Sequence, residues 1–199
     1  MDLVIIDTGC ANLSSVKFAF ERLGVVPVIS DDFGVIRRAG SLVLPGVGAA
    51  PYAMDNIKAK NLGSIIKTAK QPLLGICLGM QLLFETLEEG GKIIKGLGLI
   101  PGHVGPLDTR DLPSPHMGWN QLHPLSDFAL MNGVDSGDYA YFVHSYGAPL
   151  SEFTVAACHY GNPFTAVVRK DNVMGCQFHP ERSSKVGAQI LKNFLDLSA

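Results

Sequence analysis

The chain has 199 residues, with 16 Lys and Arg against 18 Asp and Glu for a formal net charge of −2, which is most simply one domain, residues 1–199, with a large core. Charged residues are only 17% of the chain, against a usual share of about a quarter, which speaks for a large buried sheet or a docking surface and against nucleic acid or an anionic membrane as main partner. No apolar run approaches the ~20 residues of a membrane span, and Met1–Asp7 lacks the basic and apolar regions of a signal peptide, so the expectation is a soluble, cytoplasmic protein.

In chain order, Leu3-Val4-Ile5-Ile6 is a short apolar, partly β-branched run ending at Asp7-Thr8-Gly9. Leu13, Val16, Phe20 and Leu23 then recur at helical spacing, with Asn12 placed to cap the helix. Val25 to Ile29 reads as a second strand, and Ser41 to Leu44 as a third, stopped by Pro45-Gly46. A helical stretch around Asp55 to Ala69 leads to a fourth apolar run, Pro72 to Ile76, and a further helix is expected from Leu78 to Leu87. Short buried strands alternating with helices predict right-handed βαβ units around a parallel sheet covered on both faces.

From Gly91 the pattern changes. Glycine and proline are frequent from Gly96 to Pro124, and short alternating segments follow at Tyr139 to Val143, Phe153 to Cys158, Phe164 to Val168 and Val173 to Phe178. They read as antiparallel strands and loops appended to the α/β core. Val186, Ile190, Phe194 and Leu195 mark an amphipathic closing helix.

Ligands of a parallel sheet bind beyond the carboxyl ends of its strands. That edge receives Thr8 to Asn12, Pro45 to Gly48 and Cys77, and His179-Pro180-Glu181 joins them if the strand before it is parallel to the rest. Gly75-Ile76-Cys77-Leu78-Gly79 has the form of a nucleophile elbow, whose strained bend needs small residues two positions either side. Read alone it is also compatible with a buried cysteine after a glycine bend. Cys10, Cys158 and Cys176 read as small buried or loop residues; no CxxC or Cys/His cluster of zinc type is present, so neither a metal nor an organic cofactor is implied. His179 supplies a base and Glu181 a carboxylate to orient it; Pro180 favours an extended His179, which would put 179 and 181 on one side of the chain. The N–H of Leu78 and the turn Pro45-Gly46-Val47-Gly48 can supply an oxyanion hole. Each feature has a bland reading by itself; together they imply acyl transfer through a thioester.

Pro45-Gly46-Val47-Gly48, Gly75-Ile76-Cys77-Leu78-Gly79-Met80-Gln81 and Phe178-His179-Pro180-Glu181 stand in the order and spacing of the class I (triad) glutamine amidotransferases, which this chain resembles from its first strand to its last helix. Asp7 to Leu13, Pro115-His116-Met117-Gly118-Trp119-Asn120, Tyr141-Phe142-Val143-His144-Ser145-Tyr146 and Glu181-Arg182-Ser183 are most similar to the branch that forms the glutaminase subunits of imidazole glycerol phosphate synthases. The resemblance implies a flavodoxin-like three-layer α/β sandwich, hydrolysis of L-glutamine to glutamate and ammonia, and a heterodimer with a (β/α)8-barrel cyclase subunit that uses the ammonia in histidine biosynthesis. It implies Cys77, His179 and Glu181 as the triad, Val47, Gly48 and Leu78 as the oxyanion hole, and Gln81, Glu89, Ser145 and Tyr146 as glutamine contacts. Asn12, Trp119, Tyr141 and Arg182 would face the cyclase, although Trp119 and Tyr141 could equally be core aromatics and Arg182 a solvated charge. Thr8, where a tyrosine is usual, Cys10 and Arg182, where lysine is commoner, depart from the pattern beside that face. The rival readings are a glutaminase subunit of anthranilate or aminodeoxychorismate synthase type, a stand-alone γ-glutamyl hydrolase, and a non-catalytic docking subunit.

Overall fold

A computed structural model describes residues 2–9 and 11–197; Cys10 lies outside the described residues. The first half is built from β1 (Leu3–Ile6), α1 (Leu13–Arg22), β2 (Val28–Ser30), α2 (Phe33–Arg38), β3 (Ser41–Gly46), α3 (Ala50–Ala59), α4 (Leu62–Thr68), β4 (Leu73–Cys77) and α5 (Leu78–Gln81). It continues through β5 (Phe84–Glu89), β6 (Lys92–Lys95), β7 (Ile100–Pro106), β8 (His116–Gln121), β9 (His123–Pro124), β10 (Tyr139–His144), β11 (Tyr146–Gly147), β12 (Thr154–Tyr160), β13 (Asn162–Lys170), β14 (Val173–Cys176) and α6 (Ser184–Asp196). An eight-stranded sheet runs β2-β1-β3-β4-β14-β13-β12-β9. Its first five strands are parallel, and β13, β12 and β9 extend it antiparallel.

The inner strands are buried on both faces, which is why β1 and β4 read as continuous apolar runs rather than as an alternation. Leu3, Ile5, Val43 and Ile76 pack on one side with Phe20 of α1 and Ile190 and Phe194 of α6. Val4, Ile6, Leu42 and Leu44 pack on the other with Ile36 of α2, Ile57 of α3 and Ile66 of α4. Helices on both faces of a mainly parallel sheet make the three-layer α/β sandwich. The Asn12 carboxamide oxygen caps α1, accepting from the Ser15 N–H at 3.3 Å.

Three expectations change. The helix expected over Asp55 to Ala69 is two helices, because Asn61 turns left-handed (φ 56°) between α3 and α4. The helix expected from Leu78 to Leu87 is a single turn, and Phe84–Glu89 is instead strand β5 of a small sheet ordered β11-β7-β5-β6. The second strand, expected over Val25 to Ile29, runs instead over Val28–Ser30. In the second case, the tertiary partner β7, which pairs Phe84 with Ile100 and Leu87 with Val104, overrides a helical pattern. The third unit is a ribbon, β8 with β10, in the register His116 to His144 and Trp119 to Tyr141.

Candidate active site

Strands β3, β4 and β14 end together. Gly46 pairs with Cys77, Gly75 with Gly175, and Ile76 with Cys176, so β14, expected among the appended antiparallel strands, is parallel to β4 and delivers residues 177–179 beside its end. Cys77 stands at the bend with φ 52° and ψ −113°, a region L-residues avoid and that persists only where the surroundings hold it. The glycines flanking it permit the bend. A Cβ on Gly75 would lie 2.7 Å from the Met80 Cα, and one on Gly79 would lie 2.8 Å from the Leu44 carbonyl carbon. Here the sequence pattern and the packing agree.

His179 is extended (φ −98°, ψ 94°), as Pro180 requires, but Pro180–Arg182 is a 3-10 turn. Glu181 therefore reaches back around a tight turn instead of lying alongside an extended chain. His179 Nδ1–H donates to Glu181 Oε1 at 2.8 Å, with both side chains almost fully buried. Among the described residues Glu181 Oε2 is buried without a hydrogen-bond partner, which leaves the imidazole as the group the carboxylate pairs with. Cys77 lies close enough to the His179 ring to favour its charged form. Burial opposes a charged ring, but Cys77 and the Glu181 carboxylate outweigh it and raise the His179 pKa to about 10. The arrangement suits a thiolate–imidazolium pair. A one-turn α5 contributes little dipole, so the imidazole is the electrostatic partner of Cys77.

A cavity of about 400 Å³ opens over Cys77 and His179. Val47, Gly48 and Leu78 line it, as do Gln81, Glu89, Ser145 and Tyr146. Gly48 is left-handed (φ 88°) and solvent-exposed with Val47. Gln81 Nε2 donates to the Tyr146 carbonyl at 3.0 Å and to Gln177 Oε1 at 2.9 Å, so the carboxamide has its oxygen left to offer, an acceptor for an ammonium group. Glu89 Oε2 accepts the Ala50 N–H at 2.6 Å, which fixes one carboxylate oxygen and leaves the other.

Asn12, Trp119, Tyr141 and Arg182 are not in this cavity. Asn12 and Arg182 are exposed; Trp119 is 52% exposed and makes an edge contact with half-buried Tyr141, ring centroids 6.0 Å apart. The core-aromatic reading of Trp119 is thereby set aside. Thr8 and the thiols of Cys158 and Cys176 are buried, and burial pushes the Cys158 pKa up to about 12 and that of Cys176 higher still, as expected of inert cysteines. Among the described residues no cluster of His, Cys, Asp or Glu has a metal-ligand arrangement, and no helix is long and apolar enough to cross a membrane.

A profile of the family described as glutamine amidotransferase class-I matches residues 4–197. The chain belongs to the class-I glutamine amidotransferase family. Similar curated proteins are the imidazole glycerol phosphate synthase subunits HisH of Colwellia psychrerythraea, 51% identical over 209 residues covering 98% of this chain and 93% of that one, and of Yersinia pseudotuberculosis, 52% identical over 197 residues covering 99% of this chain and all of the other. Among solved structures, a glutamine amidotransferase from Thermotoga maritima superposes with a TM-score of 0.68 at 16% identity, covering 98% of this chain and 83% of that one. The glutaminase domain of Trypanosoma brucei CTPS does so with a TM-score of 0.67 at 14% identity, covering 98% of this chain and 94% of its own. Their likeness shows the flavodoxin-like fold that this family member shares.

Sequence reasoning missed three site residues. Gln177 places its amide 3.8 Å from Cys77 Sγ; its signal is its position next after β14, in line with Cys77. Ser183 Oγ donates to the His179 carbonyl at 2.7 Å and accepts the Tyr141 N–H at 2.9 Å, bracing the Pro180–Arg182 turn against β10. His144 lines the cavity, and the alternation of β10 (Ala140, Phe142 and His144 inward) is what betrays it.

Proposed function

We propose that this chain is the glutaminase subunit of an imidazole glycerol phosphate synthase: it hydrolyses L-glutamine in the cytoplasm and passes the ammonia to a (β/α)8-barrel cyclase subunit, its partner in a heterodimer whose overall reaction is of lyase type. Cys77 and His179 together on the floor of the cavity, with Glu181 hydrogen-bonded to the imidazole from behind, carry this reading. The Cys77 thiolate attacks the side-chain carbonyl carbon of glutamine, and the oxyanion is received by the N–H of Leu78 and by the Val47–Gly48 turn. As the C–N bond breaks, the His179 imidazolium gives its proton to the departing ammonia, leaving a thioester and a neutral ring. Water then gives a proton to His179 as it adds to the thioester. The C–S bond breaks, glutamate leaves, and the thiolate–imidazolium pair is restored. Glu181 holds the tautomer and balances the ring's charge throughout. The Gln81 oxygen, Glu89 and the backbone at Ser145 and Tyr146 would hold the amino-acid end of the substrate. No organic cofactor or metal enters these steps.

The outer face of the β8–β10 ribbon supports a docking role. Met117, Trp119 and Tyr139 are more than half exposed there, and Tyr141 lies beside Trp119. Aromatic residues with few charges are what an interface core uses. Asn12 and Arg182 would complete that contact. The test is glutamate release from glutamine by the wild type and by Cys77→Ala, each with and without a cyclase partner carrying its nucleotide ligand. A low rate that rises with the partner and vanishes in the variant is expected. Partner-independent turnover would favour a free-standing hydrolase, and turnover surviving in Cys77→Ala would overturn the mechanism.

A further inference from the structure

Beneath the ribbon, on the face away from Trp119, lies a chain of polar side chains that the mechanism does not use. His144 Nδ1 is 2.8 Å from the Tyr146 carbonyl oxygen. A carbonyl only accepts, so Nδ1 carries the proton. In the neutral ring Nε2 is then an acceptor, and it lies 3.0 Å from His116 Nδ1, which must donate. His116 Nε2 in turn accepts from Asn120 Nδ2 at 3.2 Å, and the same amide nitrogen donates to the His159 carbonyl at 2.9 Å. The Asn120 oxygen is occupied by the Gln121 N–H at 2.8 Å, which orients the amide. Every donor and acceptor in the chain is thereby assigned. His116 cannot rotate away: it is stacked between Phe142 and Tyr160, with centroids at 4.9 and 4.0 Å. Burial keeps both rings neutral, lowering His116 to a pKa of about 4 and His144 to about 3.

The chain ends on an oxygen that matters. The Tyr146 carbonyl takes His144 on one side and Gln81 Nε2, at 3.0 Å, on the other. The Ser145 carbonyl is held separately by the Leu107 N–H at 2.9 Å and the Gln81 amide also reaches Gln177, so losing the first bond releases the orientation of the Tyr146 carbonyl and, with it, one of the two anchors of the Gln81 carboxamide. We propose that His144, aligned by His116 and Asn120, is a positioning residue that fixes the Tyr146 carbonyl, and so the Ser145–Tyr146 backbone and the Gln81 amide, for recognition of the amino-acid end of the substrate. This rests on the glutaminase reading above. His144 touches no reacting atom, so its contribution falls on substrate affinity rather than on the rate of acyl transfer.

Two substitutions separate the two halves of the ring. In His144→Asn the amide replaces Nδ1 and keeps a donor for Tyr146, whereas in His144→Gln it replaces Nε2, keeping the His116 contact and losing the donor. Glutamine hydrolysis is measured with the nucleotide-loaded cyclase partner bound, alongside wild type and Cys77→Ala. Losing one buried hydrogen bond predicts a KM raised about tenfold or more in His144→Gln and under about threefold in His144→Asn, with kcat in both within about a factor of two of wild type. Equal KM values, or a loss confined to kcat, would overturn the positioning role. A wild type that leaves glutamine intact would overturn the functional reading and the substrate role together. The chain itself is read independently in uniformly ¹⁵N-labelled wild type by long-range histidine NMR at about pH 6. Both rings should be neutral Nδ1–H tautomers, and an Nε2–H tautomer in either refutes the chain even where a variant fails to fold.

Discussion

Replacing Gly79 by alanine tests whether the elbow is held by close backbone packing. A Cβ there would stand 2.8 Å from the carbonyl carbon of Leu44 and 3.2 Å from that of Pro45, and closer still to the Leu44 oxygen. The opposing atoms are main chain of β3, buried on both faces and paired to β1 and β4, so no side chain can rotate aside. Strand and elbow must separate by well over an ångström, and overpacking in a rigid core costs about 1–3 kcal/mol or more; with backbone opposing, the upper end applies. The same displacement carries Leu78 and Cys77 away from the Val47–Gly48 turn, and a misplacement of about 1 Å costs on the order of 100-fold in rate. Gly63→Ala is the control: it lies in α4, and its Cβ would meet only Ile57 Cγ2 at 3.8 Å. Alanine there should stabilise by about 0.5–1 kcal/mol. Urea unfolding followed by circular dichroism gives both changes, and glutaminase assays with the partner give the rate. Gly79→Ala within about 1 kcal/mol of wild type, at full activity, would refute the close-packing argument.

Glu181→Gln should lower the His179 pKa, since the carboxylate helps raise it to about 10 against burial. The imidazolium form persists below that pKa, so the fall of kcat/KM at alkaline pH should begin at lower pH in the variant, and alkylation of Cys77 at about pH 8 should slow; an unmoved alkaline limb would refute the assignment. Trp119→Ala removes a half-exposed ring and should leave the melting temperature nearly unchanged while weakening cyclase binding by about 2 kcal/mol, checked by calorimetry. Phe20→Ala, in a side chain with no exposed surface beneath α1, should cost about 3–5 kcal/mol in denaturant unfolding.

The elements that local chemistry dictates were readable in order along the chain. Uninterrupted apolar runs at Leu3–Ile6 and Leu73–Cys77 can only be strands covered on both sides, Asn12 caps because its short side chain reaches an unpaired N–H, and Gly75 and Gly79 mark a bend no Cβ would allow. Cys77, His179 and Glu181 were legible for the same reason: few residue types perform the chemistry, and strand ends bring them to one edge. Long-range pairing was not legible. Whether Phe84–Glu89 is helix or strand depends on β7, which local propensity does not register, and the parallel sense of β14 depends on β4. Behind the site, Gln177 meets Cys77 across 100 residues of chain, Ser183 meets Tyr141 across 42, and His116 meets His144 across 28. Hydrogen bonds form between atoms that the packed sheet brings together, so tertiary structure alone decided which side chains meet behind Cys77 and His179.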